Sequence, residues 1–303
     1  MKTGFIFPGQ GSQSVGMLTD LADAFAIVEE TFSQASDVLG FDLWQLTKEG
    51  PAEDLNKTER TQPALLAAGV SVWRILKDKV STPSVLAGHS LGEYTALVCA
   101  DSLDFKDAIS LVADRGRFMQ EAVPSGEGAM AAILGLDDDV IENICESAEG
   151  IVSCANYNSP GQIVIAGQRS SVESVIEALK KVGAKRAILL PVSVPSHCAL
   201  MKPAAKALEK RLESITVSTP KIPVIHNVDA KMHSEPAEIK KTLVEQLHQP
   251  VRWVDVMKVV VKNSDQVIES GPGKILAGLC KRIDRALTCN PVFDPASLEK
   301  VLS

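Results

Sequence analysis

The sequence predicts an α/β fold with a small inserted unit, and three observations support this prediction. First, the apolar run SVLAG ends in the tight turn GHSLG, and the helix-like stretch EYTALVCA follows it. A strand, a sharp turn and a helix in this order are typical of α/β proteins. Second, residues 128–193 follow the order β-α-β-β-α-β, which is that of a ferredoxin-like unit. Third, residues 63–79 include ALLAAGVSVWRIL, which is apolar nearly all round, as a buried helix is.

The first part of the chain contains the core elements in order. GFIFPG at the N-terminus predicts a short apolar strand that ends in a Pro-Gly turn and leads into the polar loop QGSQSVG. Helical periodicity follows over residues 20–40, and a second helix is predicted over 63–79. The SVLAG strand and the helix that begins at EYTALVCA come next.

Residues 128–193 contain the elements of the small unit. GAMAAILGL predicts a strand, and DDDVIENICESAEG predicts a helix with acidic residues in its first turn and a glycine after its end. IVSCANYNSPG and QIVIAGQ predict a hairpin, SSVESVIEALKKVG a second helix and AKRAILLPVSV a last strand. Beyond this unit, KPAAKALEKRLESI predicts a helix and IPVIHNV a strand. DQVIESGPG then predicts a strand before a glycine-rich turn and the last helix.

Composition and charge exclude several classes of protein. The 303 residues are 45% hydrophobic and 23% charged, as in globular proteins that bury a sizeable core. A net charge of −7 argues against a general nucleic-acid binder. The six cysteines show no metal-finger spacing, and no apolar run approaches the roughly 18 residues of a membrane span. Pro8 and Gln10 interrupt the N-terminus before a signal-peptide core forms. We therefore expect a cytoplasmic monomer with no membrane segment and no metal.

The turn GHSLG contains a G-x-S-x-G motif, which suggests that Ser90 is a nucleophile. A chain of this length contains these three residues at this spacing by chance roughly one time in ten. The context makes the match stronger, because Gly88, Ser90 and Gly92 lie between a predicted strand and a predicted helix. A nucleophile elbow needs this geometry, and the helix N-terminus favours a developing negative charge. An ordinary turn serine is the alternative interpretation.

A serine nucleophile needs a base within hydrogen-bond reach, and the chain has five histidines. His89 adjoins the serine, but its side chain should point away from that of residue 90. His233 lies in the polar loop KMHSEP and is expected at the surface. Spacing alone does not decide which of His197, His226 and His248 is the base. His226 lies in an apolar strand, as a core histidine does, whereas His197 lies in a loop that favours an exposed catalytic ring.

Eight sequence blocks together resemble the bacterial malonyl-CoA:acyl carrier protein transacylases of fatty-acid synthesis. The resemblance covers nearly the whole chain, and although GHSLGE is shared with other acyltransferases, the eight blocks in this order are highly specific. The blocks are FPGQGSQ (7–13), RTQPAL (60–65), GHSLGEY (88–94), RGRFMQ (115–120), NYNSPGQIVIAG (156–167), VPSHCALM (194–201), QLHQPVRW (246–253) and ESGPGKIL (269–276).

The resemblance implies a hydrolase-like α/β core with a parallel sheet, formed by residues 1–125 and 194–303. It implies a small ferredoxin-like subdomain at 126–193, in agreement with the elements predicted there. It also implies roles for individual residues: Ser90 as the acylated nucleophile, His197 as its general base, the backbone N–H groups of Gln10 and Leu91 as the oxyanion hole, and Gln246 as a residue lining the site near the histidine. In such sites a neutral acceptor, for example a carbonyl oxygen, orients the imidazole.

Arg115 is the residue to which the resemblance assigns acyl-group specificity. A malonyl group ends in a carboxylate, which a planar guanidinium can bind through two parallel hydrogen bonds. An ordinary helix salt bridge is the alternative for this arginine. Arg117, two positions further along a helix, should face elsewhere and lie at the surface.

The activity implied is transfer of malonyl from malonyl-CoA to the phosphopantetheine thiol of acyl carrier protein, with no metal or redox cofactor. A serine esterase or thioesterase is one alternative, although no histidine follows position 248 as a Ser…Asp…His order requires. The others are a non-catalytic docking subunit of a larger synthase and the malonyl transferase that serves malonate decarboxylase.

Acyl carrier protein is usually acidic and would meet a local basic patch. Two patches are candidates: Lys180, Lys181, Lys185 and Arg186, or Lys281 and Arg282.

Overall fold

The computed structural model describes residues 2–192 and 194–303, and it confirms the predicted α/β fold. The strands are β1 (Thr3–Phe7), β2 (Val85–Gly88), β3 (Gly128–Leu134), β4 (Val152–Ser159), β5 (Gln162–Gln168), β6 (Arg186–Leu189), β7 (Val224–Ile225), β8 (Gln266–Ser270) and β9 (Thr288–Val292). The helices before β3 are α1 (Thr19–Ala24), α2 (Ile27–Leu39), α3 (Leu43–Glu49), α4 (Ala52–Leu55), α5 (Thr58–Leu76), α6 (Leu91–Cys99) and α7 (Phe105–Ala122). Those after β3 are α8 (Asp138–Glu146), α9 (Arg169–Lys181), α10 (Lys202–Leu212), α11 (Pro236–Gln246), α12 (Trp253–Asn263), α13 (Ile275–Ile283) and α14 (Pro295–Leu302).

The main sheet has the strand order β7-β2-β1-β8-β9, and all of its pairs are parallel. Both faces of the sheet are buried, as a parallel sheet requires. Phe5 and Phe7 of β1 pack with α2, α5 and α6 on one face. The alternate residue, Ile6, packs with Trp253 and Val256 of α12 on the other. Because β1 and β2 pair in parallel, with Phe7 opposite Gly88, their carboxyl ends lie at the same edge of the sheet, where the serine turn lies.

Residues between β3 and β6 form the predicted β-α-β-β-α-β unit. Its antiparallel sheet has the order β4-β5-β3-β6, and α8 and α9 pack on one side of it. The unit has its own apolar core, which includes Ile133, Ile165, Val172 and Leu179. The strand order is that of a ferredoxin-like fold, so the prediction of the small unit is confirmed.

The small unit is tied to the main core through β4. The N–H of Tyr157 donates to the carbonyl of Val251 over 2.9 Å, and the N–H of Val251 donates to the carbonyl of Ala155 over 2.9 Å. The predicted subdomain bounds, 126–193 against 1–125 and 194–303, stay a prediction. Residues 1 and 193 lie outside the described residues, and the predicted last strand of the unit is confined to β6.

The helix that we predicted to begin at Pro63 begins at Thr58, with Pro63 inside it. Proline removes one helical hydrogen bond, but packing against α7 offsets this loss. The two helices approach so closely that a Cβ at Gly116 would lie 2.7 Å from the Cα of Glu59. This contact holds the first turns of α5 in place on the N-terminal side of the proline.

The prediction that α13 is the last helix is wrong, because β9 and α14 follow it. β9 adds to β8 at the edge of the main sheet, where Pro291 can be accommodated in a strand. Asp294 caps α14 by accepting a hydrogen bond from the N–H of Ser297 over 2.7 Å. The polar segment TCNPVFD carries too weak an apolar pattern to predict an edge strand.

The cysteines are free thiols, and all but Cys289 are buried. Within residues 2–192 and 194–303, no helix is both long enough and apolar enough to cross a membrane.

Candidate active site

Ser90 occupies a strained turn between β2 and α6. Its φ and ψ are 52° and −106°, a conformation that an L-residue rarely adopts and that surrounding structure must enforce. A Cβ at Gly88 would lie 1.8 Å from the carbonyl carbon of Gly92, and one at Gly92 would lie 2.0 Å from the carbonyl oxygen of Phe7. Only glycine fits at these two positions, which explains the G-x-S-x-G spacing. The side-chain oxygen of Asn227 accepts from the Ser90 N–H over 2.7 Å and holds the turn.

His197 lies against Ser90 although 107 residues separate them. Its Nε2 is 2.8 Å from the Ser90 Oγ, and its Nδ1 is 2.6 Å from the backbone carbonyl oxygen of Gln246. A carbonyl oxygen only accepts, so the proton of the imidazole is on Nδ1 and Nε2 is free to accept the serine proton. The φ of His197 is 62°, and its N–H donates to the Leu247 carbonyl over 3.0 Å. The loop is therefore fixed in the conformation that presents Nε2 to the serine.

The imidazole of His197 is neutral at neutral pH. Burial, the larger cause, and the positive charge of Arg115 together lower the pKa of His197 from 6.5 to about 3. The hydrogen bond to the Gln246 carbonyl opposes this shift. A neutral imidazole is the form that can accept a proton.

We therefore expect the acid limb of the pH profile of Ser90 acylation to lie well below pH 6.5. As pH falls from 6.5 towards 3, a histidine with an ordinary pKa becomes protonated and inactive, whereas His197 stays neutral and keeps its activity. The dependence of kcat/KM for the acyl donor on pH reports this pKa in the free enzyme. An acid limb centred at or above pH 6.5 would contradict the expectation.

Arg115 lies on α7 with its guanidinium beside the serine, and only 1% of the residue is exposed. Its Nη1 donates to the Gln62 Oε1 over 2.8 Å, and its Nη2 donates to the Gln246 Oε1 over 2.9 Å and to the Ser90 Oγ over 3.3 Å. Its Nε has no partner among the described residues. No carboxylate in the described part of the chain forms an ion pair with this buried cation. Such a group is suited to binding an anionic substrate.

Arg117, two residues further along α7, differs from Arg115 in its exposure and in its partners. Its side chain is 47% exposed and forms ion pairs with Asp114 at 2.9 Å and Glu121 at 3.2 Å. It therefore lies at the surface, as predicted.

Gln246, at the end of α11, contacts the serine turn, the histidine and the arginine. Its backbone carbonyl accepts from the His197 Nδ1, and its side-chain Oε1 accepts from Arg115. Its Nε2 donates to the Ser90 carbonyl over 3.1 Å and to the Glu93 Oε2 over 2.8 Å. A single glutamine thus contacts the groups that would attack, accept the proton and bind the acyl group.

The loop after β1 lies next to the serine turn. A Cβ at Gly9 would lie 2.4 Å from the His89 carbonyl oxygen, so only a glycine allows this approach. Gln10 follows at the surface. Leu91 is the first residue of α6, and its N–H has no acceptor within the helix. The two amides proposed from sequence as an oxyanion hole therefore belong to neighbouring segments.

Three of the other four histidines, His89, His226 and His233, have partners away from the serine hydroxyl. The Nε2 of His89 is 2.8 Å from the Asn158 Oδ1, so its ring points away from the nucleophile as predicted. His226 is fully buried, as expected of a core histidine, with its Nδ1 2.8 Å from the Glu93 Oε1. His233 pairs with Asp229 at 2.9 Å, and its side chain is only 20% exposed. It is therefore less solvated than predicted.

Sequence reasoning missed three residues that support the site: Gln62, Glu93 and Asn227. Gln62 and Glu93 belong to the motif blocks RTQPAL and GHSLGEY, yet no role was assigned to them. Asn227 follows His226 in the sequence and could not be linked to residue 90 by spacing. Within the described residues, no group of three His, Cys, Asp or Glu side chains is placed to hold a metal ion.

A serine in a strained strand-to-helix turn, a neutral histidine within hydrogen-bond reach and a buried arginine define the class of serine-dependent acyltransferases with an α/β core. The acyl transferase domain family matches residues 4–278 of the chain. The malonyl CoA-acyl carrier protein transacylase of Haemophilus influenzae is 56% identical, over 99% of this chain and 98% of that protein. The enzyme of the same name from Salmonella typhimurium is 55% identical over the same shares of the two chains.

Solved structures agree with these relatives. An acyl carrier protein S-malonyltransferase from Vibrio cholerae has a TM-score of 0.96 and 55% identity, covering 99% of this chain and 100% of that one. A malonyl-transacylase in complex with a type II PKS acyl-carrier protein has a TM-score of 0.98 and 54% identity, covering 100% and 99%. The chain belongs to the acyl transferase family, and within it to the malonyl CoA-acyl carrier protein transacylases.

Proposed function

We propose that this chain transfers the malonyl group of malonyl-CoA to the phosphopantetheine thiol of acyl carrier protein, and so provides the unit that extends fatty acids. The observation that supports this most directly is the buried Arg115 guanidinium, whose Nη2 is 3.3 Å from the Ser90 Oγ and which has no carboxylate partner among the described residues. An acyl group with a carboxylate at its end would bind this cation while its carbonyl carbon lies at the serine. An uncharged acyl group would leave the cation unpaired.

In the first step the Ser90 hydroxyl gives its proton to the His197 Nε2 and its oxygen attacks the thioester carbonyl. The N–H groups of Gln10 and Leu91 would stabilise the oxyanion of the tetrahedral intermediate. When this intermediate collapses, the C–S bond breaks and coenzyme A leaves as a thiol, with the proton that His197 had accepted. The product of the step is malonyl-Ser90.

The second step reverses these roles. The phosphopantetheine thiol gives its proton to His197, and its sulfur attacks the ester carbonyl of malonyl-Ser90. The C–O bond breaks, and Ser90 recovers its proton from the imidazole. The chemistry needs a nucleophile, a base and hydrogen-bond donors, which the chain itself contains, so we propose that the reaction uses its two substrates and no cofactor.

Free thiols at all six cysteines support a reducing, cytoplasmic location.

Incubation with malonyl-CoA alone tests the proposal. A transferase is expected to release one equivalent of coenzyme A in a burst and to gain one malonyl group on Ser90, detected by mass spectrometry of the intact protein and its peptides. Steady release of free malonate would instead identify a hydrolase, and absence of label would identify a non-catalytic subunit. Supplying either acyl carrier protein or the carrier subunit of a malonate decarboxylase then identifies the acceptor.

The exposed side of α13 is the surface that we propose for acyl carrier protein. It presents Lys281 and Arg282, and Arg285 follows just after the helix; none of the three forms an ion pair among the described residues, although Arg282 donates to the Gln162 side chain. These cations share a surface depression with Pro160 at the tip of the β4–β5 hairpin. The same hairpin contacts His89, the neighbour of Ser90, through Asn158. In the other basic patch, Lys180 is already paired with Glu177 at 2.8 Å.

We expect the double charge reversal Lys281→Glu with Arg282→Glu to raise the KM for acyl carrier protein by roughly tenfold, because it replaces attraction to an acidic partner by repulsion. The rate of Ser90 acylation by malonyl-CoA should be unchanged. The matched control is Lys180→Glu with Lys181→Glu, which should leave this KM within about twofold of the wild-type value. An unchanged KM in the α13 variant, or an equal rise in both variants, would remove α13 as the docking surface.

A further inference from the structure

Glu93 is a fully buried carboxylate on α6, three residues after the serine, and no step above uses it. Three donors point at it. Its Oε2 accepts from the Gln246 Nε2 over 2.8 Å and from the Asn227 N–H over 2.9 Å, and its Oε1 accepts from the His226 Nδ1 over 2.8 Å. A buried carboxylate with several donors is strongly fixed in position.

The Glu93 carboxylate, together with the Ser90 carbonyl at 3.1 Å, determines which way the Gln246 side-chain amide faces, and Glu93 is the charged and shorter of the two contacts. An amide has a donating N–H₂ end and an accepting oxygen end, and a carboxylate can only accept. The Nε2 must therefore face Glu93, which leaves the Oε1 facing Arg115, to which it is hydrogen-bonded over 2.9 Å. If the amide were reversed, its N–H₂ group would face the guanidinium and two donors would oppose each other.

The histidine adjacent to Glu93 binds it through Nδ1. The Thr242 Oγ1 donates to the Ile239 carbonyl over 2.9 Å, so it accepts from the His226 Nδ1 at 3.1 Å. The His226 Nε2 has no partner among the described residues. The hydrogen that His226 donates to Glu93 is therefore the one on Nδ1. The Glu93 carboxylate and the Arg115 guanidinium lie on opposite sides of one glutamine amide.

We infer that Glu93 is a positioning residue for malonyl selectivity, which orients the Gln246 amide and through it holds the Arg115 guanidinium for the substrate carboxylate. The inference rests on the proposed function. Gln62 holds the other end of the guanidinium at Nη1 over 2.8 Å. With both amide oxygens in place, the remaining N–H groups of Arg115 are available to the substrate.

The variant Glu93→Gln tests this inference, because it keeps the volume of the side chain and removes its charge. Acylation of Ser90 is measured with malonyl-CoA and with acetyl-CoA, which lacks the terminal carboxylate. We expect kcat/KM for malonyl-CoA to fall roughly tenfold to a hundredfold, as for loss of a charged hydrogen-bond partner. Acetyl transfer should fall less, so that the malonyl-to-acetyl ratio decreases.

A double-mutant cycle with Arg115→Ala separates positioning from a general structural role. In the Arg115→Ala background there is no guanidinium to hold, so Glu93→Gln should change the malonyl-to-acetyl ratio by less than about twofold. The matched control is Glu269→Gln, since Glu269 is also fully buried but accepts from the N–H groups of Leu276 and Ala277 and contacts neither Arg115 nor Gln246. This control should leave the ratio unchanged.

If Glu93→Gln does not fold, as measured by thermal unfolding, Glu93→Asp retains the charge and takes its place, with a smaller decrease of the ratio expected. Equal losses of malonyl and acetyl transfer, or effects that add with Arg115→Ala, would overturn the inference. Failure of the wild-type protein to become malonylated would instead overturn the proposed function, so the two failures are distinguishable.

Discussion

The variant Ser90→Ala is expected to lose the malonyl-enzyme and nearly all malonyl transfer. The Ser90 Oγ is the atom 2.8 Å from the His197 Nε2, and alanine has no oxygen to attack the thioester. Removal of the nucleophile of a serine enzyme lowers kcat by roughly 10⁴- to 10⁶-fold. The measurement is the rate of malonyl transfer to acyl carrier protein, together with mass spectrometry for the covalent intermediate.

The control for this variant is Ser71→Ala. Ser71 is also fully buried, and its hydroxyl donates to the Ala67 carbonyl within α5 over 2.7 Å. We expect this change to leave malonyl transfer within a few-fold of the wild-type rate, because removal of a neutral buried hydroxyl affects mainly stability. If Ser90→Ala transferred malonyl at the wild-type rate, the proposed mechanism would be wrong.

The variant Arg115→Ala is expected to lose its preference for malonyl over acetyl groups. The substrate carboxylate would then be buried without the two charge-assisted hydrogen bonds of the guanidinium, and kcat/KM for malonyl-CoA should fall roughly 10²- to 10³-fold. Acylation by acetyl-CoA should fall much less or increase. Competition between the two thioesters for Ser90, read by mass spectrometry, measures the change directly.

Two further arginine variants sharpen this prediction. Arg115→Lys keeps the charge but cannot form the planar pair of hydrogen bonds, so its selectivity should be intermediate. Arg117→Ala removes an exposed arginine from the same helix, and both activities should remain near wild type. If Arg115→Ala retained the wild-type malonyl preference, another group would have to bind the carboxylate.

Local sequence patterns predicted the elements that have strong local signals. The strand SVLAG, the turn at Ser90 and the helix after it lie together in 17 residues, and the glycines at 88 and 92 reveal the sharp turn because only glycine fits there. The small unit was predicted for the same reason, since its strands and helices alternate clearly. Where the local signal was weak, as in β9, or where tertiary packing extended an element past a proline, as in α5, the prediction failed.

The catalytic pair could not be derived from spacing. Three histidines stayed open, and a resemblance to a known family was needed to prefer His197. The reason is physical: residues 90 and 197 come to 2.8 Å because both are held by the end of α11, whose Gln246 and Leu247 carbonyls bind His197 and whose Gln246 side chain binds the Ser90 carbonyl. Nothing in the residues around either position encodes that distance.

The sequence by itself therefore determined the α/β class, the small ferredoxin-like unit and the serine turn, because backbone sterics and apolar periodicity act over a few residues. Only the tertiary structure decided that a carbonyl oxygen, that of Gln246, holds the imidazole of His197, and that Arg115 is buried with no carboxylate partner in the part of the chain that the structure describes. It also decided that Glu93 faces Gln246. Hydrogen bonds and charge pairs of this kind depend on distances between atoms of remote segments, which are set only when the whole chain has packed.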